Sequence, residues 1–331
     1  MRHGQRDRLP LTPGVATLRL RMQKVTVRVP ASTSNLGPGF DCLGVALRIY
    51  NSVTVTSGRS PEQPHPQIVS QAAGRFFKRA RRRVFSFSSS IVEEIPRSRG
   101  LGGSATIRLG ILHGLNRLSG DPLDRFALFR LCAELEGHPD NAAPATFGGF
   151  TVAAGSALRA DRLAQRGVPA FQRFEVSSQL YFVLLVPELE IRTSIARKLL
   201  PSKISHSEAV ENCGNACAIT AAFASKNYKN LRGAFGDFIH QPFRAKLIPF
   251  LPGVITAAEK AGALGAFLSG SGSTICATTL QHPDRVAVAM KRATRGRPAR
   301  TIVTRADNRG GQILNLKSKF KITQWAGGLK T

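Results

Sequence analysis

The sequence predicts a globular protein of two domains that combine helices and strands. Its 331 residues, of which 42% are hydrophobic, are enough to bury two cores of ordinary size. An alternating strand pattern, MQKVTVRVP, is followed along the chain by several helical patterns. Near Val168 and Pro169 the composition becomes typical of a loop, just before the apolar run QLYFVLLVP. We therefore expect one domain over residues 22–168 and a second over residues 169–331.

A basic tail precedes the predicted elements. Residues 1–21 are rich in arginine, so we expect them to be disordered and interpret Met22 as the natural start. An organellar transit peptide is the competing interpretation, and its support is weak: the tail has a single acidic residue, as such peptides do, but no serine, in which they are rich. Prolines between Ser57 and Gln67 predict a loop. Helices are then predicted over residues 68–82, 104–118 and 123–136.

The charge of the chain is strongly positive. Its 47 lysines and arginines against 20 acidic residues give a net charge of +27, which attracts nucleic acid, anionic membranes and polyphosphates alike. The densest run, RFFKRARRR over residues 75–83, could form an RNA-binding helix face. We favour a solvated helix whose Phe76 and Phe77 point into the core, because the rest of the chain has the features of an enzyme. Nucleic acid is therefore not the expected partner.

Membrane and redox signals are weak. No run of about 18 apolar residues and no apolar signal core occurs, so we expect a soluble cytoplasmic protein without a membrane partner. The five cysteines are scattered and odd in number, and Cys213 and Cys217 lack the spacing of a zinc site. Reduced thiols in the core are the expected state.

The stretch IPRSRGLGGSATIRLG predicts an anion site. Gly100, Gly102 and Gly103 allow the backbone to approach a ligand closely, and a helix beginning near Ser104 would point free N–H groups at it. No lysine follows the glycines as it would in a P-loop. Such a loop alone could equally be a tight turn.

Three further segments strengthen the prediction of a site. VRVPASTSNLGPGFDCLGVAL runs from a strand into small polar side chains that could line a pocket. ELEGHPDNAAPATFGGF combines a carboxylate able to hold Mg²⁺ with groups able to hold a polar substrate. GALGAFLSGSGSTICA places Gly270 and Gly272 in a loop where the backbone must approach another group closely. Together these segments are difficult to explain as turns.

These segments resemble the motifs of the GHMP small-molecule kinases, and among them the homoserine kinase family. The resemblance lies in the strings PASTSNLGPGFD, RSRGLG, EGHPDNAAP, RTSIARKLLP and DFIHQPFRAKLIP, and extends from Met22 to about Gly311. It implies a two-domain α+β fold, with an N-terminal ribosomal-protein-like β-α-β domain, a C-terminal ferredoxin-like domain and an active site between them. It also implies ATP-dependent phosphorylation of the side-chain hydroxyl of L-homoserine, in threonine biosynthesis.

By this resemblance, the glycine-rich loop binds ATP. Ser104 is implied as a hydroxyl near Mg²⁺ and Glu136 as the carboxylate that holds the metal, whereas Glu134 is interpreted as a surface charge. The residues implied at the nucleotide are Pro96, Arg97, Ser98, Arg99, Gly100, Leu101, Gly102, Gly103, Ser104 and Ala105.

The resemblance also implies a homoserine site. Asp41 matches the partner of the substrate ammonium, and Arg197 and Arg244 match the arginines that receive its carboxylate, for which a planar guanidinium is well shaped. The other implied substrate contacts are Asn35, Asn141 and Gly270, and the implied catalytic positions are Asp140, Asn141 and Thr193. His138 and His240 are interpreted as structural hydrogen-bonding residues.

Phosphoryl transfer does not require the absent lysine. The reaction depends mostly on positioning and on neutralising charge, which Mg²⁺ and a helix N-terminus can supply. Asn141 lies where other GHMP kinases place an aspartate base, and an amide accepts a proton poorly at neutral pH. The γ-phosphate, a water molecule and Asp140 stay open as acceptors of the hydroxyl proton.

The chain departs from the family pattern at three positions. Gly103 replaces a serine of the loop, Gln67 stands where asparagine is expected, and Arg108 lies in a helix that is normally small and apolar. We expect these changes to affect nucleotide affinity more than the reaction.

Two alternative functions stay open. One is a GHMP kinase that acts on a different alcohol, against which the combination of Asp41 with Arg197 and Arg244 argues. The other is a basic RNA-binding relative that has lost activity, against which the presence of Glu136 and Ser104 argues. A homodimer is an option for its assembly.

Overall fold

The computed structural model describes residues 23–58, 63–153 and 171–314. The predicted tail and the residues on both sides of the predicted domain boundary lie outside these ranges. The described strands are β1 (Lys24–Ser34), β2 (Leu43–Ser57), β3 (Phe87–Glu93), β4 (Phe150–Ala153), β5 (Phe171–Phe174), β6 (Tyr181–Pro187), β7 (Gly265–Leu268), β8 (Ile275–Thr279), β9 (Ala299–Arg305) and β10 (Gln312–Leu314). The described helices are α1 (Gln67–Ala80), α2 (Gly103–Leu118), α3 (Arg125–Glu136), α4 (Ala142–Phe147), α5 (Thr193–Lys198), α6 (His206–Ala224), α7 (Gln241–Arg244), α8 (Leu251–Lys260) and α9 (Pro283–Arg292). Short 3₁₀ helices cover Tyr228–Leu231 and Ala245–Leu247.

The first sheet joins six strands in the part of the chain that the structure describes. Its order is β10-β1-β2-β4-β5, and β3 pairs with the second half of β2. Both β5 and β10 therefore lie in this sheet, although residues 169–331 were predicted to form a separate domain. Along the chain, the strands pass from the first sheet to the second between Phe174 and Tyr181, and β10 returns to the first sheet. The short segment FQRF has the mixed pattern of an edge strand, which does not indicate which sheet it joins.

The second sheet is antiparallel, with the strand order β7-β8-β6-β9. Strand alternation gives β6 two different faces. Phe182 and Leu184 pack into a core that both sheets share, whereas Val183 and Leu185 pack with residues of α8 and α9. A bridge between Leu47 and Ala306 connects β2 to the segment after β9. The two halves of the chain are thus joined by a common apolar core.

Helix α1 confirms the interpretation of the basic run. Phe76 and Phe77 are buried, at 0% and 5% exposure, and belong to the core beneath the first sheet. The cations of the run point to solvent: Arg75, Lys78, Arg79, Arg81, Arg82 and Arg83 are exposed. Because both rings are buried, neither can stack on a nucleic-acid base.

The cysteines only partly follow the expectation of core thiols. Cys132 and Cys276 are buried, but Cys213 and Cys217 are exposed. These two lie one turn apart on α6, whose outer face is exposed to solvent. Among the described helices, none is long and apolar enough to cross a membrane.

His113 on α2 gives a prediction of pH-dependent stability. Its Nε2 atom is buried and has no hydrogen-bond partner among the described residues. Burial, and to a smaller extent repulsion from Arg125, lowers the pKa of His113 to about 4. The unfolded chain binds a proton there near pH 6.5, so this residue costs stability as pH falls through the window from 6.5 to 4. We expect His113→Phe to gain about 2–3 kcal/mol relative to the wild type between pH 7 and pH 4.5.

Urea unfolding of both proteins at the two pH values measures this gain. His206→Asn is the matched control, because His206 is exposed at the start of α6. An equal difference between His113→Phe and the wild type at both pH values would contradict the prediction.

Candidate active site

A single cleft of about 540 Å³ collects nearly all the residues that the sequence singles out. It lies where the loop after β1, the glycine-rich loop before α2, the end of α3 and the loop after β7 meet. The predicted residues that line it are Asn35, Asp41, Pro96, Arg97, Ser98, Arg99, Gly100, Leu101, Gly102, Gly103, Ser104, Glu136, Asp140, Asn141, Thr193, Arg197, Arg244 and Gly270. Ala105 does not line the cleft; its methyl group is buried in the core beneath the first sheet.

The glycine-rich loop requires glycine at two positions. Gly100 has φ +72°, and a Cβ atom there would lie 2.1 Å from the carbonyl oxygen of Ser269. Gly102 has φ +69°, and a Cβ atom there would lie 2.2 Å from Ser32 Oγ. The loop therefore packs against both the end of β1 and the loop after β7, and any side chain would separate them. This explains why two glycine-rich segments, far apart in sequence, meet here.

Hydrogen bonds hold the loop between the two halves of the chain. Ser269 Oγ donates to the carbonyl of Gly100 at 2.7 Å, and Arg99 Nε donates to the carbonyl of Pro187 at 2.9 Å. Helix α2 begins directly after Gly102, so its first N–H groups have no partner within the helix. Together with the helix dipole, these groups make the start of α2, which faces the cleft, suited to bind an anion.

Glu136 is the last residue of α3 and lies beside the first turn of α2. Asp124 caps the start of α3 by accepting from Ala127 N at 2.7 Å, and the helix ends at Glu136 before Gly137, whose φ is +82°. Ser104 Oγ donates to Glu136 Oε2 at 2.8 Å. Arg108 Nη1 donates to Glu136 Oε1. A carboxylate and a hydroxyl therefore meet beside the anion-binding loop.

The departures at Gly103 and Gln67 do not disturb this geometry. A Cβ atom on Gly103 would have one neighbour within 4 Å, Ile95 Cγ2 at 4.0 Å, so a side chain would fit. Gln67 is exposed and does not line the cleft.

An apolar wall of the cleft was not predicted from the sequence. It consists of the side chains of Pro66, Ile68, Ile91, Ile95 and Ile107. They come from α1, β3, α2 and the loops before α1 and after β3, so no local motif marks them. Four of the five are isoleucines that lie near a motif, but an isoleucine there could equally belong to the core.

The anionic and cationic groups at the other end of the cleft are paired. Arg197 Nη1 and Nη2 donate to the two carboxylate oxygens of Asp41, at 3.0 Å and 2.7 Å. Arg197 and Arg244 each place their guanidinium carbon 5.3 Å from the centre of the Phe40 ring. Phe40, which the sequence did not single out, thus contacts both arginines through cation–π interactions and helps position them.

Arg244 is a buried cation without an ion-pair partner among the described residues. It is 2% exposed; its Nη1 donates to the carbonyl of Gly270 at 2.9 Å, and its Nε is buried without a partner there. Burial, and to a smaller extent repulsion from Arg197, lowers the pKa of Arg244 to about 10, so the group still carries its charge at neutral pH. A charged guanidinium with a free donor next to a cleft favours an anionic ligand.

His240 supports Arg244, as expected of a structural histidine. Its Nε2 lies 2.9 Å from the carbonyl of Gly37, and its Nδ1 lies 3.3 Å from Arg244 Nη1. Burial lowers the pKa of His240 well below its ordinary value, so the ring is neutral. The neutral ring donates from Nε2 to Gly37 and accepts at Nδ1 from Arg244.

Asn35 and Gly270 connect these groups. Asn35 Nδ2 donates to the carbonyl of Gly270 at 3.1 Å, and Asn35 Oδ1 accepts from the backbone N–H of Asp41 at 3.0 Å. The same carbonyl also accepts from Arg244. Both residues therefore line the cleft and also fix the positions of Asp41 and Arg244.

Asn141, Asp140 and His138 form a buried network. Asn141 Oδ1 accepts from Ser32 Oγ at 2.8 Å, and its Nδ2 donates to Ser34 Oγ at 3.1 Å. His138 Nδ1 is hydrogen-bonded to Asp140 Oδ1.

The ionisation of this network follows from its hydrogen bonds. Although burial alone would raise the pKa of Asp140, His138 and Ser34 lower it below its ordinary value. Burial would likewise lower the pKa of His138, but Asp140 raises it. Asp140 is therefore an ionised carboxylate with a committed partner.

Two other placements complete the site. Thr193 begins α5 at the cleft, and its Oγ1 lies 3.3 Å from Ser271 Oγ. Asp41, His138 and Asp140 bring their ligand atoms within 4.8 Å of one another. Both carboxylates of that cluster already have ion-pair partners, because Arg197 binds Asp41 and His138 binds Asp140.

Comparison with known proteins agrees with this architecture. The chain matches the GHMP kinases N terminal domain over residues 67–149 and the GHMP kinases C terminal domain over residues 219–295. It is 34% identical over 317 residues to homoserine kinase of Carboxydothermus hydrogenoformans, a match that covers 89% of this chain and 99% of that relative. It is 38% identical over 276 residues to homoserine kinase of a Synechococcus species, covering 79% and 87%.

Solved structures share the fold. A homoserine kinase from Cytophaga hutchinsonii superposes with a TM-score of 0.77 at 24% identity, over 91% of this chain and 100% of that chain. Mevalonate kinase of Methanococcus jannaschii superposes with a TM-score of 0.62 at 15% identity, over 88% and 100%. The predicted two-domain α+β GHMP kinase fold is confirmed. By its matches over nearly the whole length of its relatives, the chain belongs to the homoserine kinase family of the GHMP kinases.

Proposed function

We propose that this chain transfers the γ-phosphoryl group of ATP to the side-chain hydroxyl of L-homoserine and so forms O-phospho-L-homoserine for threonine biosynthesis. The observation that carries the choice of substrate is the cluster at one end of the cleft, where the Asp41–Arg197 ion pair lies beside Arg244, a cation with no ion-pair partner among the described residues. An amino acid is a zwitterion, and this cluster offers one anion and two cations. We infer that the substrate ammonium binds Asp41 and that its carboxylate binds Arg244 and Arg197.

Binding of homoserine would exchange the partners of the Asp41–Arg197 ion pair for groups of the substrate. In the free chain, Arg197 and Asp41 satisfy each other through two hydrogen bonds. A bound homoserine would replace each partner with a group of the same charge, so neither side chain would be left buried and unpaired. Mevalonate, which has a carboxylate but no ammonium, would compete with Asp41 for the arginines. A neutral sugar would offer neither charge.

The phosphate end of the cleft fits ATP. Backbone N–H groups of the loop from Gly100 to Ser104 and the N-terminus of α2 would surround the β- and γ-phosphates, and the isoleucine-rich wall would cover the adenine. Ser104 and Glu136 provide hard oxygen donors 2.8 Å apart, the chemistry that Mg²⁺ prefers while keeping positions for phosphate oxygens and water. When bound there, Mg²⁺ would neutralise charge on the transferred phosphoryl group.

The catalytic network favours positioning over general-base catalysis. Both ends of the Asn141 amide already have hydrogen-bond partners, and Asp140 is an ionised carboxylate with a depressed pKa, which makes it a weak base. We infer that these residues hold the end of β1 and the acceptor hydroxyl in place. The hydroxyl proton then passes to the transferred phosphoryl group or to water, with Thr193 at the edge of the reaction centre.

A coupled ADP-release assay tests this function. We expect L-homoserine to exceed mevalonate and galactose in kcat/KM by at least about 100-fold, because a site built for paired charges rejects substrates that leave them unpaired. L-serine carries both charges but is one methylene shorter, so its hydroxyl falls short of the phosphoryl group, and we expect its kcat/KM to be lower by about 10-fold or more. Preference for mevalonate or galactose would instead favour a different GHMP kinase. Absence of ADP release with every acceptor, from folded protein, would favour the basic RNA-binding relative.

A further inference from the structure

Arg108 occupies an unusual place next to the proposed metal site. It follows Ser104 by four residues on α2, so both side chains lie on the same face of the helix. Its Nη1 donates to Glu136 Oε1, and the side chains of Arg108 and Glu136 are only 15% and 8% exposed. This position holds a guanidinium in a helix whose neighbouring side chains are small or apolar.

Arg108 contacts Glu136 from outside the cleft. Glu136 and Ser104 line the cleft, whereas Arg108 does not. Its Nε is buried without a hydrogen-bond partner among the described residues, so Glu136 is the group that holds this guanidinium. Ser104 Oγ meanwhile occupies the other carboxylate oxygen at 2.8 Å. Each oxygen of Glu136 is therefore engaged by a donor of this chain.

We propose that Arg108 is a built-in counter-ion of Glu136: it positions the carboxylate when no metal is bound and weakens its affinity for a free divalent cation, so that the cation binds together with the nucleotide phosphates. The inference rests on the metal site of the proposed function. Arg108 is a positioning residue, since it would act on the metal through Glu136.

Two electrostatic arguments give the direction of the effect. A free dication must approach a carboxylate whose charge a guanidinium already balances, and the low exposure of both groups limits screening by water. A metal bound to ATP carries the negative charge of the phosphates with it, so the same guanidinium attracts the complex. Arg108 therefore opposes the bare ion and accommodates the loaded nucleotide.

Mn²⁺ binding in the absence of nucleotide tests whether the charge of Arg108 weakens the affinity for a free cation. The key variant is Arg108→Gln, because glutamine is polar and can donate hydrogen bonds but carries no charge. We expect it to bind Mn²⁺ about 10-fold more tightly than the wild type, as measured by electron paramagnetic resonance of the free ion. Arg108→Met should tighten binding at least as much, and Arg108→Lys should stay close to the wild type.

Two controls separate this effect from general changes. Arg117→Gln removes the same charge from the same helix, where Arg117 pairs with Asp121 on the surface, and should leave Mn²⁺ affinity unchanged. The double variant Arg108→Gln/Glu136→Gln should lose the gain. With Mn²⁺ and a non-hydrolysable ATP analogue together, affinity should differ less than about 3-fold between Arg108→Gln and the wild type, because the two charge effects oppose each other.

The outcomes distinguish the proposals. Equal Mn²⁺ affinity in folded wild type, Arg108→Gln and Arg108→Met would overturn the role of Arg108 as a counter-ion. A fall in melting temperature without any change in Mn²⁺ affinity would make Arg108 merely structural. The choice of homoserine is unaffected by either result, since these titrations contain no acceptor.

Discussion

Replacing Glu136 with glutamine is expected to reduce turnover by at least about 100-fold while the chain stays folded. The amide preserves the shape of the side chain, and its oxygen can still accept from Arg108, but the negative charge that would hold Mg²⁺ is lost. Ser104 also loses its carboxylate acceptor at 2.8 Å. Steady-state kcat with saturating ATP and homoserine measures the loss, and circular dichroism and the melting temperature establish that the fold persists.

Glu134→Gln is the matched control. Glu134 precedes Glu136 by two residues on α3 and is exposed, so the same change there should leave kcat within about 2-fold of the wild type. If Glu134→Gln were the damaging substitution, the assignment of the metal ligand on this helix would be wrong. Partial rescue of Glu136→Gln by high Mg²⁺ would agree with a weakened metal site.

The regular elements were the easiest part of the fold to predict. Helices predicted over residues 68–82, 104–118 and 123–136 are observed as Gln67–Ala80, Gly103–Leu118 and Arg125–Glu136. Each has a strong local signal: Phe76 and Phe77 belong to an apolar stripe, and Gly102 and Asp124 precede the starts of the other two helices. The sheet membership of β5 and β10 has no such signal, because strand pairing over long sequence separations depends on the whole fold.

The site was predictable where motifs mark it and unpredictable where tertiary packing creates it. Polar strings such as RSRGLG and EGHPDN identify the phosphate end of the cleft and the Asp140–Asn141 network. The ion pair between Asp41 and Arg197 joins residues 156 positions apart, and the distance between them follows from the packing of the two halves. Phe40 and the isoleucine wall were missed for the same reason, since an apolar residue in a sequence does not reveal whether it faces a core or a ligand.

The other large expected effect is that of substituting Arg244, which we propose binds the carboxylate of the substrate. This guanidinium is 2% exposed, carries its charge, and has a donor without a partner among the described residues. Methionine at this position would fill a similar volume and remove a buried charge, so the fold should survive. His240 and Gly270 would each lose one hydrogen bond, and Arg244→Lys provides a variant that keeps the charge but loses the planar fork.

We expect Arg244→Met to lower kcat/KM for homoserine by about 10- to 1000-fold, since charge-assisted hydrogen bonds contribute roughly 1.5–3 kcal/mol each. Part of the loss should fall on kcat, because a displaced hydroxyl reacts poorly. The affinity for ATP, titrated directly, should change little, because the nucleotide loop is built from other residues.

A substrate that lacks the carboxylate separates recognition from a general defect. 3-Aminopropan-1-ol keeps the hydroxyl and the ammonium of homoserine but has no group for Arg244 to bind. The wild type should use it poorly, and Arg244→Met should use it about as well as the wild type does, so the two losses are not additive. Arg197→Met should behave differently, because it also leaves Asp41 without its partner in the free chain. If Arg244→Met lowers kcat/KM for both substrates by the same factor, or weakens ATP binding equally, Arg244 acts on the structure of the cleft and the amino-acid carboxylate binds elsewhere.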